Sequence, residues 1–268
     1  MVPYAGNFVA SETDYQAVGE MLLNQVHRDF TFIHPDIFLS DRIRINGRTL
    51  NLENMINWQN YRALIIPGGK VISLKVLLKI RDYFNAGGTI IATTLLPSKA
   101  AELPSDADEA VENDKKVQAI VKEVFGIDPL KAATEEVTER VGAGGGKAVF
   151  VEKPDASKLS AIFSKLDIVP DVEFEGNPQP SGSDGVFSFV HKIKDGKHIY
   201  FFANSSDDEV STYARVRGRI KPELWDPYTG EMVNLKDVRY IREHGKIYTR
   251  FPLKLDPVRS VFIVTKNQ

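Results

Sequence analysis

The stretch YRALIIPGGKVIS, residues 61–73, places Gly68, Gly69 and Lys70 directly after a short apolar run, with helix-like sequence following. A strand, a glycine turn and a helix bring backbone N–H groups close to a ligand, and open α/β sheets bind ligands at the carboxyl ends of their strands. The next apolar run, TIIATTLLP, carries Thr93 and Thr94, so Thr94 would stand beside the same crevice. The spacing is neither GxxxxGK[ST] nor GxGxxG, which argues against a phosphate cradle. A threonine hydroxyl without a strong base is a poor nucleophile. Gly68, Gly69, Lys70 and Thr94 are therefore read as a candidate strand-end crevice whose turn is structural. No residue is assigned as catalytic.

A second cluster is ELWDPYTGE, residues 223–231. The rings of Trp225 and Tyr228 could stack on a sugar while Asp226 and Glu231 accept hydrogen bonds from its hydroxyls, which makes these four a candidate glycan-binding group. Asp-Pro-Tyr-Thr-Gly is also good turn chemistry, and the structural reading is the expectation. A glycosidase holds two carboxylates on a rigid frame roughly 5–9 Å apart. Asp226 and Glu231 bracket a turn, so they are not expected to form a catalytic pair.

The five histidines, His27, His34, His191, His198 and His244, form no HExxH and no close pair at helical spacing. His27 is read at a helix end, where its charge would suit the macrodipole, and His34 at a strand end before Pro35. His191 and His198 flank Asp195-Gly196 and could pair across that hairpin, a weak hint of metal binding. No metal site is assigned. Arg215, Arg217 and Arg219 alternate on one strand face and could hold an anion, although a solvated outer face is the expectation.

The elements that must carry these groups change character along the chain. In residues 13–26, Val18, Met21, Leu22 and Val26 share one helical stripe, with Thr13 or Asp14 as N-cap. FTFIHP reads as a short strand stopped by Pro35, and RIRINGRTLNL as a hairpin turning at Asn46-Gly47. After ALII, a helix is expected over residues 73–86, burying Leu74, Leu77, Leu78 and Phe84 and ended by Gly87-Gly88. TIIATT then reads as a strand buried on both faces. A further helix is expected near 109–125, VGAGGGK reads as a flexible loop, and AVFVE and DASKLSAIFSKL add a strand and a helix. Past residue 170 the Pro/Gly/Ser segment GNPQPSGSDG leads into short alternating strands, with a type I′ turn at Asp195-Gly196. The expected architecture is an α/β domain with a mainly parallel sheet over residues 1–170, followed by an antiparallel β-sandwich over 171–268.

Composition narrows the function classes. With 34 Lys+Arg against 36 Asp+Glu the net charge is -2, which leaves no global basic field for nucleic acid or an anionic membrane. The absence of cysteine excludes disulfides, thiolate nucleophiles and Cys-ligated metals. No apolar run approaches the roughly 20 residues of a membrane helix, and no signal peptide is read in MVPYAGNFVASETDY. No cofactor is expected, and the compartment is left unassigned.

The segments NQVHRDFTFIHPD, YRALIIPGGKVISLKVLLKIRDYFNAGGTIIATTLLPSKAAE, GKHIYFFANSS, PELWDPYTGE and FPLKLDPVRSVFIV resemble, in order, the C-terminal half of large bacterial glycoside hydrolases of the α-L-rhamnosidase type. The turn at residues 67–69 also resembles the PGG turn of class I glutamine-amidotransferase-like domains, which place a cysteine nucleophile on the elbow after the next strand. Here Thr93 and Thr94 stand near that elbow. The resemblance implies a flavodoxin-like α/β domain followed by a β-sandwich, with the catalytic carboxylates on a barrel that lies outside these residues. It also implies a parent family that is often exported, and oligomer contacts of the kind such α/β domains make in some β-galactosidases. Compared with the family, the α/β domain is expected to lack its first strand, for which VPYAGNFV is a poor substitute. A sheet edge left open in this way would be covered by a second copy or by a catalytic-barrel partner chain. The expected role is that of a non-catalytic accessory portion of a carbohydrate-active enzyme, with carbohydrate as a ligand of the sandwich. The alternatives are a stand-alone hydrolase using the crevice at Gly69, Lys70 and Thr94, or a protein-interaction module.

Overall fold

Short apolar runs bounded by turn residues fold here into strands, and stripes at helical spacing into helices. The computed structural model describes residues 13–53, 55, 58–176, 178–180, 185–243 and 245–265. The chain forms two compact units, Met1–Val18 with Thr31–Asp155, and Gly19–Phe30 with Ala156–Gln268. Together they make a mixed α/β protein with both parallel and antiparallel sheets. The segment VPYAGNFV, expected to replace a missing first strand, lies outside the described residues, as does most of the connector before residue 185.

Helix α1 (Tyr15–Asn24) follows Asp14, whose carbonyl accepts the Val18 N–H at 2.8 Å, and Val18 and Leu22 are buried on one stripe. The strand expected at FTFIHP does not form. Residues 27–34 have no regular structure, and Pro35 opens the short helix α2 (Pro35–Leu39) with His34 as its N-cap. Proline suits a first helical turn because the N–H it lacks would have no intrahelical partner there. Strands β1 (Ile43–Asn46), β2 (Thr49–Glu53) and β3 (Trp58–Tyr61) form an antiparallel meander that contributes Ile43 and Leu50 to the core. The pairing of Asn46 with Thr49 makes Gly47-Arg48 the loop, one residue beyond the expected Asn46-Gly47.

Then follow β4 (Leu64–Ile66), β5 (Val71–Ile72), α3 (Leu74–Asn85), β6 (Thr89–Thr93), β7 (Lys99–Ala100), α4 (Ala107–Phe125), β8 (Val137–Val141) and β9 (Lys147–Val151). The sheet order is β4-β6-β9-β8, with the first three parallel and β8 antiparallel, while β5 and β7 form a small parallel pair. Ile90, Ile91 and Ala92 of β6 are fully buried, as a strand covered on both faces requires. Helix α3 buries Leu77, Ile80, Tyr83 and Phe84. Its N-terminal N–H groups are held by Glu102, whose carboxylate accepts from Ser73 Oγ at 2.7 Å and from Leu74 N at 3.0 Å.

The glycine-rich stretch between β8 and β9 is not a flexible loop. A Cβ on Gly144 would lie 1.9 Å from the Asn85 carbonyl oxygen, and one on Gly146 the same distance from that of Phe84. The turn therefore packs its backbone directly on the end of α3, where only glycine fits.

The second unit contains α5 (Ala156–Lys165), with Leu159, Ile162 and Phe163 buried. Its strands are β10 (Val172–Phe174), β11 (Phe187–Lys194), β12 (Lys197–Asn204), β13 (Val210–Arg217), β14 (Pro222–Trp225), β15 (Met232–Asn234), β16 (Arg239–Glu243), β17 (Lys246–Leu255) and β18 (Arg259–Thr265). They form two antiparallel sheets, β10-β13-β17-β16 and β11-β12-β18-β14-β15. One core receives Val172, Ala214, Val216 and Phe251 from the first sheet and Phe187, Phe202 and Ile263 from the second. Asp195 and Gly196 both have positive φ, 51° and 73°, as the type I′ turn joining β11 to β12 demands.

Substitutions in the glycine turn separate close approach from backbone freedom. Gly144→Ala should lower unfolding stability by about 2–3 kcal/mol, because neither the α3 carbonyl nor the turn can yield freely. Gly145→Ala, at φ 79° but in open space, should cost about 1 kcal/mol. Urea midpoints would measure both, and equal losses would contradict the packing described here.

Candidate functional site

The candidate strand-end residues are drawn together from three separate parts of the first unit. The N–H of Gly68, in the turn after β4, donates to Asp14 Oδ1 at 2.6 Å. Past the end of β6, the Thr94 hydroxyl donates to Asp14 Oδ2 at 2.5 Å. Thr94 has φ 56°, rare for a β-branched residue. The Leu95 N–H closes a tight turn around it by reaching the Thr93 carbonyl at 2.6 Å, while its own N–H donates to Val151 at 2.8 Å. Gly69 N–H donates to the Leu95 carbonyl at 3.3 Å, and the Lys70 carbonyl accepts from Ser98 and Lys99, both at 3.0 Å. The Lys70 side chain is exposed. The structure thus brings Gly68, Gly69, Lys70 and Thr94 to one place and adds Asp14, which the sequence suggested only as a helix cap. Asp14 lies 54 and 80 residues from its two partners, and no local signal announces that contact.

The residues of ELWDPYTGE lie on one hairpin. Trp225, on β14, pairs with Met232 and Phe262 and is half-buried, its indole N–H enclosed without a hydrogen-bond partner. Asp226 turns its carboxylate inward on its own loop, accepting from Tyr228 N at 2.7 Å and Thr229 N at 3.4 Å. Those backbone N–H bonds hold its pKa below the ordinary carboxylate value. Glu231 is exposed, and its carbonyl accepts from Asp226 N at 2.9 Å. Tyr228 is exposed, with the Arg259 guanidinium 4.4 Å from its ring centre.

The arginine row of the second unit is matched by partners. Arg215 donates to Glu173 and, at 2.6 Å, to Glu243, and Arg217 pairs with Asp171. The Arg219 guanidinium lies 4.7 Å from the Tyr240 ring centre. Arg250 holds Glu175 through two hydrogen bonds, at 2.5 and 2.7 Å.

Beside this row the two hairpin histidines meet. His191 Nδ1 lies 3.2 Å from Asp171 Oδ2, and His191 Nε2 lies 2.9 Å from His198 Nδ1. His191 Nδ1–H donates to the ionised carboxylate, and its Nε2 shares one proton with His198 Nδ1. The His191 ring stacks on Tyr200 at 4.2 Å. Burial alone would raise the Asp171 pKa, but the His191 hydrogen bond and the Arg217 charge outweigh it and bring it to about 2. Burial lowers the His198 pKa, with the neighbouring His191 adding to the effect. Among the described residues, no three His, Asp or Glu side chains converge to hold a metal ion, and no helix is long and apolar enough to cross a membrane.

The remaining histidines differ from expectation. His27 lies beyond α1 at φ 53°, edge-on to Phe174 at 5.0 Å. It stands past Asn24, the last residue of α1, and burial, then Arg28, lower its pKa from the ordinary histidine value. His34 caps α2, accepting from Asp36 N at 3.3 Å, and His244 lies outside the described residues.

The family profile described as alpha-L-rhamnosidase matches residues 19–240. This chain belongs to the α-L-rhamnosidase family. Among solved structures it is similar to the rhamnosidase from Novosphingobium sp. PP1Y, with a TM-score of 0.61 and 22% identity over 85% of this chain and 19% of that one. A catalytic mutant of a GH42 beta-galactosidase from G. stearothermophilus gives a TM-score of 0.46 and 13% identity, over 77% of this chain and 32% of that one. The beta-galactosidase from Bacillus circulans sp. alkalophilus gives 0.45 and 11%, over 77% and 33%. No curated protein matches the chain. The rhamnosidase-family chain spans about a fifth of the length of the rhamnosidase structure it matches.

The Asp171–His191–His198 chain makes the stability of this rhamnosidase-family protein depend on acid. His198 has its folded pKa below 6.5, so its contribution is full above that pH and fades as pH falls through the lowered value. Asp171, brought from 3.8 to about 2, contributes fully above about pH 4 and fades as pH falls toward 2. The melting temperature should fall below about pH 6.5 and again below about pH 4. Asp171→Asn should cost about 1–2 kcal/mol at pH 7 and make the lower step smaller. A melting temperature flat from pH 7 to 3 would contradict the coupling.

Proposed function

We propose that this chain is a non-catalytic scaffolding portion of a rhamnosidase-family glycoside hydrolase. In this reading a flavodoxin-like, glutamine-amidotransferase-like α/β domain and a β-sandwich frame a catalytic barrel carried by other residues or by a partner chain. The observation that carries it is the engagement of the carboxylates. Asp171, Glu173, Glu175 and Glu243 face arginines or His191, and Asp226 closes its own turn. Glycoside cleavage needs one carboxyl group as acid and a second as base or nucleophile, facing each other across the scissile bond. Groups committed to guanidinium partners fill neither role. The match to about a fifth of the solved rhamnosidase supports the same reading.

Partner contact follows from the sheet. Among the described residues, strand β4 is an end strand of the order β4-β6-β9-β8 and only three residues long. We place a second copy or a catalytic-barrel chain at that edge. The outer hairpin supports a weak carbohydrate contact, since Tyr228 presents an exposed ring with Asp226 and Glu231 on the same loop.

The isolated chain should release no nitrophenol from nitrophenyl α-L-rhamnoside above the buffer rate, and turnover by pure protein would overturn the scaffolding reading. Calorimetric titration with rhamnose-containing oligosaccharides should give a weak signal that Tyr228→Ala abolishes. A signal unchanged in that variant would remove the hairpin from the carbohydrate contact.

A further inference from the structure

The carboxylate of Asp14 bridges two turns that lie far from it and from each other in the sequence. Both of its donors are neutral: a buried backbone N–H from Gly68 and a hydroxyl from Thr94. They come from the turns that follow two adjacent parallel strands, β4 and β6, and they approach one carboxylate, each holding a different oxygen. An aspartate just before a helix ordinarily caps it with its side chain. Asp14 instead sends its carboxylate across the unit. On the other side, Thr94 occupies a left-handed conformation that is strained for a β-branched residue. That conformation is what turns its hydroxyl toward Asp14.

We propose that the crevice between the turns after β4 and β6 is a carboxylate-binding site, kept closed by the chain's own Asp14. The donor set suits a small monocarboxylate as well as it suits an aspartate side chain, since both present two oxygens on one planar carbon. A tethered carboxylate acts at a high effective concentration, so a free acid at millimolar levels does not displace it. Withdrawal of Asp14 opens the site. Two donors that reach the two oxygens of one carboxylate suit a planar carboxylate ligand, held without a partner cation.

The test empties the cradle and refills it with formate. Asp14→Ser removes the carboxylate and retains a residue that caps α1 well. In sodium chloride its melting temperature should lie below that of the unaltered protein. Replacing chloride by formate at equal ionic strength should then raise it saturably, by about 3 °C at ten times the dissociation constant. The unaltered protein should show no formate-specific rise, and neither should Asp14→Asn, whose amide still fills the cradle. Adding Thr94→Val to Asp14→Ser should abolish the response. The proposal fails if Asp14→Ser responds to formate no more than the unaltered protein does, or if the response survives Thr94→Val. Should Asp14→Ser be unfolded in chloride, folding restored by formate supports the site, and an unfolded chain in both salts counts against it.

Discussion

Because Ile90, Ile91 and Ala92 are completely enclosed, β6 has to lie between parallel neighbours with helices or loops over both faces, and the chain has to leave its carboxyl end abruptly. Much of the first unit follows from that constraint. The exit places Thr94 in a left-handed conformation, and the apolar burial of the strand behind it offsets the local cost. The same burial leaves the Thr93 hydroxyl enclosed without a partner, a further cost accepted at this strand end. Helix α3, which connects β4 to β6, has to stop where β6 begins, and the glycine turn after β8 packs against that end. Strained exit, helix end and glycine turn are therefore consequences of one buried strand.

The second unit meets a different requirement. Two sheets share an interior of phenylalanines and aliphatic residues, while the outer face of the four-stranded sheet carries arginines on β13 and β17. Bare guanidinium groups side by side would repel one another, and cross-strand acids at Glu173 and Glu243 remove the repulsion. At the end of the interior the aromatic row Phe202–Tyr200 gives way to His198 and His191, so the core becomes polar where Asp171 and Arg217 close it. Carboxylates bound in this way stabilise sheet pairing.

What could be read from the sequence depended on how far apart the interacting residues lie. The Asp195-Gly196 turn was legible because its dihedral requirement is local, and with it the meeting of His191 and His198, which a two-residue loop places diagonally on one face. Helix α3 and the alternation of β13 were legible for the same reason. Pro35 was misread because proline both ends strands and begins helices, and only the following turn distinguishes the two. Composition took the glycines at 142–146 as freedom, whereas the structure uses Gly144 and Gly146 for the absence of a side chain. Strand β8 was missed because it is an exposed edge with little apolar pattern. The reach of Asp14 to Gly68 and Thr94 left no trace, since nothing in a local window relates residues so distant.

The two kinds of carboxylate contact differ in what their removal leaves behind. Taking away Asp171 strands a partly buried guanidinium and an imidazole pair oriented by its charge, and an uncompensated cation is costly wherever water is scarce. Taking away Asp14 leaves an N–H and a hydroxyl, neutral groups that water or any other acceptor can satisfy. Contacts of the first kind resist exchange and suit a frame. A contact of the second kind is exchangeable, because its loss creates no stranded charge. It is also the one that sits at the carboxyl ends of parallel strands, where open sheets leave room for a ligand. Asp14 thus holds a place that an outside carboxylate can take without stranding a charge.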